Sequence, residues 1–534
     1  MTGNKELIAP KYYNLATAID RHAENEEKVA VHWVDHAENE KAFTYKDLRD
    51  RSNQFANGLK KMGMKKGDIV ITVLPRLPET YIAFLAALKL GIIISPGSEM
   101  LMPKDILYRA THSKAKAIIC HHSLTDRVEE IGSKVQSVEH FISIGGKKEG
   151  WQSFEEITNQ MALNLEPEQT LSTDHAFLCY TSGTTGDPKG VLHDHGWAFA
   201  HRALTARAGY EMDENDMVWS TVSPAWVKWL HNAFINPLVS GAESLCYSAK
   251  LTGEKYLQLL EKYEVTMLCA STTEYRKVTS GGNLHKYTLP HLKSALSAGE
   301  PVDKFAIQAF KENFNVQIRD GYGQTETSLL ITTPKEEHPK HGSMGKSTLG
   351  RLVRVIDENG NVLPSNEIGV IAVDRKIPNI FKEYLYDPER TKAAFQGDWY
   401  ITADRARMDE DGYFWYEGRL DDIIISSGYT IGPTEVEEAL ANHPLVKECA
   451  VVPSPDKIRG AIVKAFVVLE ENAILPNNLV KQLQDHVKSI TAPYKYPREI
   501  EFVSDLPRTI SGKVRRATLR QLENEIKSRD RIQN

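Results

Sequence analysis

Over the first four-fifths of the chain, short apolar runs of strand type are each followed by a helical stretch, and this alternation constrains the fold more than any other feature. DIVITVLP (68–75) runs into ETYIAFLAALKLG (79–91), and KAKAIIC (114–120) into a polar helical stretch. Such text builds α/β layers. The most apolar segment, 81–95, is broken by Lys89 and Gly91. It is predicted to be a buried helix running into a strand, not a membrane span. No fixed-period repeat or low-complexity tract is present, which excludes a solenoid.

Near Gly418 the pattern changes. GRLDDIIISSGYTIGPTEVEEAL (418–440) leads into an amphipathic helix, strands such as KAFVVLE (464–470), another helix and a basic tail. Thr434 and Glu437 have capping-box spacing, and Val436, Ala439 and Leu440 share one helix face. The expected architecture is a large, multi-layered N-terminal α/β domain, 1–420, with a small mobile α+β C-terminal domain, 421–534. Asp421, where charge interrupts apolar text, is the expected hinge. Length alone suggests about three or four domain-sized units.

A net charge of -6 offers no general attraction to polyanions, so nucleic acid is excluded as a partner and any phosphate site is local. The five cysteines are widely spaced and contain no CxxC, which argues against a disulfide framework and a thiolate zinc site and for the reducing cytoplasm. The N-terminal MTGNKELIAPKYY lacks the plan of a secretory signal. His193-x-His195 and Cys120-His121-His122 lack further ligands at metal spacing, and the two histidines at 193 and 195 are expected to pack beside the loop that precedes them.

That loop carries the chemistry. AFLCYTSGTTGDPKGVLHDHG (176–196) reads as a strand entering a run of small and hydroxylated residues, Thr181, Ser182, Gly183, Thr184, Thr185 and Gly186, and then Lys189. Glycines let backbone N–H groups approach phosphate oxygens, hydroxyls add donors, and lysine supplies a compact positive charge. The loop is not a Walker A motif, because Pro188 stands where the second glycine is required.

This string resembles the phosphate loop of the adenylate-forming superfamily, and the rest of the chain supplies the superfamily's other motifs in order. Gly299-Glu300-Pro301 looks like the adenine-contacting turn. Asp320-Gly321-Tyr322-Gly323-Gln324-Thr325-Glu326 looks like the second nucleotide motif, in which the aromatic ring stacks on adenine, Thr325 touches the α-phosphate and Glu326 helps to hold Mg²⁺. Asp404, in WYITADRA, matches the ribose carboxylate, and Arg419 the arginine that follows it. LPRTISGKVRRATLR (506–520) resembles the segment whose lysine, here Lys513, reaches the acyl carboxylate and α-phosphate.

The resemblance implies an AMP-forming acyl-CoA synthetase acting on a small-molecule carboxylic acid, ATP and coenzyme A. Lys513, Lys189 and Glu326 are its catalytic candidates, and Ser427, Gly428, Tyr429, Arg459, Tyr494, Lys495 and Tyr496 its coenzyme A candidates. A monomer or homodimer is expected. The segments 96–109, 426–437 and 491–513 look most like medium-chain acyl-CoA synthetases. Acetyl-CoA synthetases, the next neighbours, carry tryptophan where Gly323 stands. Gly323 and Trp226 are therefore the expected acyl-pocket residues, and a short branched to medium-chain fatty acid the expected substrate. An acetyl- or propionyl-CoA synthetase and an adenylating enzyme with another acceptor are the alternatives. No pantetheine attachment site follows Lys513, and the chain ends in RIQN, not the SKL ending of many luciferases. The chain departs from the family at Ala403, where glycine is usual, at Thr430, where many relatives have arginine, and at Ser271-Thr272, where a proline pair is usual. Lys228, beside the pocket tryptophan, is unexpected so near an acyl site, and three readings stay open: it points outward, it pairs with a carboxylate, or it restricts the pocket to a short or branched acid.

Overall fold

The computed structural model describes residues 6–534 apart from 133, 182–187, 209, 211, 282, 300, 301, 303, 335, 336, 338, 341, 423, 427, 428, 457, 458, 472–475, 492, 510, 511 and 534. The chain forms two compact units, not the three or four that length alone suggests. The first comprises Met1–Thr181, Lys189–Leu352 and Asp374–Asp398, and the second Ser182–Pro188, Val353–Val373 and Trp399–Asn534.

The alternation seen in the sequence becomes two sheets in the first unit. One has eight strands, with Ile93–Ser95, Ile69–Val73, Ala117–His121 and His140–Ile144 parallel at its centre. At one side Ile93–Ser95 is followed by His175–Thr181, Lys189–Asp194 and Glu383–Tyr384, the last two pairings being antiparallel. In the other sheet, Ile318–Gln324, Ser294–Ala298, Met267–Cys269, Met217–Ser220, Glu243–Tyr247 and Val29–Val34 lie parallel. A single apolar cluster takes Val70, Ile94 and Ile119 from the first sheet and Val31, Phe43 and Cys246 from the second. That shared core is why both sheets belong to one unit.

The apolar segment folds as expected, into the helix Pro78–Lys89 and the strand Ile93–Ser95. Every helix residue except Glu79 is buried. Lys89 is accommodated by an ion pair to Asp20 at 2.8 Å and by hydrogen bonds donated to Ser52 Oγ and Asn53 Oδ1 at 2.8 and 2.7 Å. A buried ammonium is tolerated only when satisfied in this way.

In the second unit, Val353–Ile356 pairs antiparallel with Ile368–Asp374 and Trp399–Met408 pairs antiparallel with Tyr413–Arg419, and Ile368–Asp374 and Trp399–Met408 are neighbours. A five-stranded sheet built on Val446–Asp456 and Gly460–Leu469 follows, with the helices Pro433–Ala441, Leu479–Ile490 and Arg516–Gln533. The predicted apolar face of Val436, Ala439 and Leu440 is buried. The capping box is not formed: Pro433 takes the first helical position, Gly432 is the N-cap, and no side chain caps. Glu437 instead accepts from Val451 N at 2.7 Å and from Arg516 Nε at 2.9 Å. Asp421, the expected hinge, lies in the 3₁₀ turn Leu420–Asp422, and its side chain lies outside the described residues. Asp422 beside it pairs with Arg520. Among the described residues no helix is long and apolar enough to cross a membrane.

Candidate active site

In the first unit, the strands on either side of the candidate phosphate loop are paired. Thr181 closes one strand, Lys189 opens the next, and the two are paired across the antiparallel ladder. Ser182, Gly183, Thr184, Thr185 and Gly186 lie outside the described residues, as do Glu300 and Pro301. Gly299, at the end of the strand Ser294–Ala298, has φ of +98°, a backbone conformation that suits glycine.

The second nucleotide motif is a hairpin. Asp320 and Gly321 pair with Ser297 and Ala298, while Gly321, Tyr322, Gly323 and Gln324 pair with Thr332, Ile331, Leu329 and Ser328. The register slips between Tyr322 and Gly323, and the turn is closed by Gln324 N donating to Thr327 Oγ1 at 3.1 Å. A Cβ added at Gly323 would lie 1.8 Å from the Ser328 carbonyl oxygen. The space without a side chain there is filled by the neighbouring strand, which differs from the simple opening into an acyl pocket that the sequence suggests. Asp320 is half-buried, and desolvation raises its carboxyl to about 7, partly offset by the Gly321 N–H it accepts and by the nearby Lys228 charge.

Glu326 sits in the turn, buried, with Oε1 accepting a hydrogen bond from Tyr384 OH at 2.8 Å. The same tyrosine ring lies 5.0 Å from Lys189 Nζ. Tyr384 was not legible as a site residue: it belongs to no glycine-rich or charged motif, and only the pairing of Glu383–Tyr384 with Val191 and Leu192 brings it there. Among the described residues no cluster of three or more His, Cys, Asp or Glu could cage an ion. Magnesium is usually held by one or two carboxylates together with water and substrate phosphates, so the single Glu326 carboxylate fits it.

Trp226 is partly buried against the main core and precedes the short helix Val227–Trp229. Trp229 is fully buried among Tyr81, Phe84 and Phe234. Lys228 does not point away: its Nζ donates to Ala298 O at 3.1 Å and Ala270 O at 3.4 Å, and lies 5.6 Å from the Trp226 ring. These carbonyls are at the carboxyl ends of parallel strands, the usual place for ligands in open α/β sheets. The proline pair replaced by Ser271-Thr272 has become a helix start. Ser271 Oγ accepts from Glu274 N at 3.3 Å, and Glu274 Oε2 accepts from Ser271 N at 2.7 Å. His193 and His195 are buried as packing residues. Burial lowers them to about 3 and about 4, so both are neutral, and His193 stacks on Trp197 with centroids 4.0 Å apart.

In the second unit, Asp404 and Arg419 pair across two strands with charged atoms 3.6 Å apart. Asp404 is buried, and Tyr416 OH lies 3.4 Å from its Oδ1. Ala403 has φ of 59°, the left-handed conformation that explains glycine in relatives. Lys513 is in a turn closed by Thr509 N donating to Lys513 O at 2.7 Å, three residues before the C-terminal helix. Ser427 and Gly428 lie outside the described residues, and Tyr429 and Thr430 are described by backbone only. Arg459 N donates to Asp456 Oδ1 at 2.7 Å, and Tyr494 is exposed. Lys495 is bound to both oxygens of Glu435 at 2.8 and 2.5 Å, and Tyr496 OH accepts from Arg498 at 2.7 Å, so both have structural partners.

Residues 19–385 match the family described as AMP-binding enzyme, and residues 435–513 match the AMP-binding enzyme C-terminal domain. The chain is 46% identical over 528 residues to an uncharacterized acyl-CoA ligase, YtcI, of Bacillus subtilis (strain 168), covering 99% of each. It is 37% identical to the mitochondrial acyl-coenzyme A synthetase ACSM4 of Mus musculus, covering 97% of this chain and 92% of that one. The crystal structure of the anthranilate CoA ligase AuaEII in complex with anthranoyl-AMP is similar with a TM-score of 0.86 and 28% identity, covering 96% of this chain and 98% of that one.

Proposed function

The chain belongs to the AMP-binding enzyme family and is an AMP-forming, ATP-dependent acyl-CoA synthetase, and from that premise we propose that it activates short branched to medium-chain fatty acids with the candidate residues named above. The observation that carries the site assignment is the meeting of Lys189 and Glu326, distant in sequence, on one tyrosine.

The difficulty of the first step is electrostatic. A carboxylate oxygen attacks the α-phosphorus of ATP, the bond to the bridging oxygen breaks, and pyrophosphate leaves with the electron pair. Lys189 and Lys513 stabilise the charge that develops on the phosphates. Asp404 and Arg419 hold the ribose, and Tyr322 stacks on adenine. Glu326 is the residue that would hold magnesium, which would supply positive charge against the phosphates. In the second step the thiol sulfur of coenzyme A attacks the acyl carbon and AMP departs. We assign Asp421 as the hinge of a small domain, 421–534, that exchanges Lys513 for the segment around Gly428 between steps. Ser427, Gly428, Tyr429, Arg459 and Tyr494 are the assigned thiol-side contacts, with Lys495 and Tyr496 supporting them through their own partners.

The fatty acid assignment is supported by the likeness of segments 426–437 and 491–513 to medium-chain synthetases and by partly buried Trp226 near Lys228. The five free cysteines support the reducing cytoplasm as its setting. The test is coenzyme A-dependent AMP release across acids from acetate to decanoate, including isobutyrate, 2-methylbutyrate and benzoate, with Lys513→Ala run beside the unaltered protein. The highest kcat/KM is expected on branched or medium-chain acids. Lys513→Ala is expected to abolish acyl-adenylate formation and to keep thioester formation from supplied acyl-adenylate. Preference for acetate or benzoate would overturn the acid assignment, and equal loss of both half-reactions would overturn the role of Lys513.

A further inference from the structure

We propose that Tyr384 is a positioning residue for adenylation, its hydroxyl orienting the Glu326 carboxylate and its ring fixing Lys189; this rests on the assignment of Glu326 to magnesium and Lys189 to phosphate. One buried side chain serves both groups. Its OH donates to Glu326 Oε1 at 2.8 Å, and its ring faces the Lys189 ammonium at 5.0 Å from the centroid, within cation–π range. Among the described residues, Oε1 is the Glu326 oxygen that accepts a side-chain hydrogen bond.

The backbone makes the tyrosine a rigid part of the site. Phe381 N donates to Glu326 O at 2.6 Å, which ties the start of the segment to the turn that carries the carboxylate. Lys382 N donates to Leu192 O at 2.9 Å and Leu385 N to Gly190 O at 2.8 Å, on the strand that Lys189 opens. The side chain of Thr391 accepts from Tyr384 N at 2.9 Å. Thus 381–385 is bonded at one end to the Glu326 turn and along its length to the Lys189 strand. A side chain in the middle of such a segment cannot shift without breaking several backbone bonds. Preorganised groups of this kind lower the reorganisation needed as charge develops on the transferring phosphoryl group.

Phenylalanine keeps the ring and the packing but removes the hydroxyl, whereas leucine removes both contacts. The two variants therefore separate the two roles. Acid-dependent ATP–pyrophosphate exchange is measured against magnesium concentration for the full chain, Tyr384→Phe, Tyr384→Leu and Glu326→Gln. ATP affinity with and without magnesium is read by calorimetry, and thioester formation from supplied acyl-adenylate and the melting temperature are followed in parallel.

The expected result for Tyr384→Phe is exchange reduced about ten- to hundredfold, the size of one hydrogen bond to a charged group. More magnesium is then needed for half-maximal rate, while metal-free ATP affinity and the thioester step are unchanged. Tyr384→Leu also weakens ATP binding in the absence of magnesium. Unaltered magnesium dependence in Tyr384→Phe, when Glu326→Gln shifts it, would overturn the proposal. An unshifted Glu326→Gln would overturn the magnesium assignment beneath it instead. Equal loss of both half-reactions with a lowered melting temperature would reduce Tyr384 to a packing residue.

Discussion

At the residue scale, backbone conformation explains departures that side-chain chemistry alone does not. Ala403 stands before Asp404, where the family resemblance leads one to expect glycine, and it is held at φ of 59°. A Cβ in the left-handed region meets the following carbonyl, so alanine there is strained, although glycine gives the unfolded chain more freedom to lose. The strain is the larger of the two. Ala403→Gly is expected to raise stability by about 0.5–1 kcal/mol, read as a higher urea midpoint at unchanged slope. A lower midpoint would mean that the site tolerates the methyl group without cost. Gly323 shows the opposite limit. The sequence comparison makes it a hydrogen in place of an indole, yet its Cβ direction points into the Ser328 carbonyl, so its role is set by a neighbour pairing across the hairpin. Lys228 is similar: the text gives a charge near the pocket, and only the strand ends at Ala270 and Ala298 tell where it goes.

At the element scale, what was legible depended on whether the determinants were local. The helix Pro78–Lys89 and the strand after it were readable because apolar period and glycine punctuation lie within the segment. The phosphate loop, the 320–326 hairpin and the Asp404–Arg419 pair announced themselves through short strings of glycine, hydroxyl and charge. Tyr384 did not, because only pairing with a strand nearly two hundred residues away brings it beside Glu326 and Lys189. The expected cap on Pro433–Ala441 failed because proline already satisfies the first helical position, which freed Glu437 for Arg516. Conversely, a capping box that does form, Ser271 with Glu274, sat in text noted only as a departure from the family. Ser271→Ala removes the acceptor for Glu274 N at the start of Thr272–Gly281 and is expected to cost about 1 kcal/mol. Ser271→Asp is expected to retain most of it. Equal urea midpoints for the unaltered protein and the alanine variant would show that the cap contributes nothing.

At the scale of the whole molecule, stability is tied to pH through a histidine cluster in the core of the first unit. His193, His201 and His231 are buried around Trp197, with His201 and His231 stacked 3.4 Å apart, and His195 is buried nearby. Burial lowers His193 and His201 to about 3 and His195 to about 4, and places His231 well below its ordinary value of 6.5. The folded protein therefore keeps all four rings neutral through pH 5, whereas the unfolded chain takes up protons on each as pH falls through 6.5. Stability is fully present above that value and declines below it, until the folded state itself is protonated near 3–4. Each histidine contributes a slope of up to about 1.4 kcal/mol per pH unit, so four together remove about 5 kcal/mol per unit. Asp320 acts in the opposite sense, because its carboxyl is raised to about 7 and its contribution is present at low pH and lost as pH rises through that value. Burial raises the carboxyls of Asp20, Glu79, Asp194, Glu243 and Glu417 in the same sense as Asp320 and lowers His121 and His443 in the sense of the cluster, so the share due to the cluster is read as the difference that a histidine variant makes. The urea midpoint is expected to fall steeply between pH 6.5 and 5 and to be nearly flat between pH 7.5 and 8.5. His231→Leu, which removes one titrating ring from the stack, is expected to make the decline shallower by about a quarter. A midpoint that holds constant from pH 7 to 5 would show that the cluster takes up protons without unfolding, and that the buried rings have access to solvent in the native state.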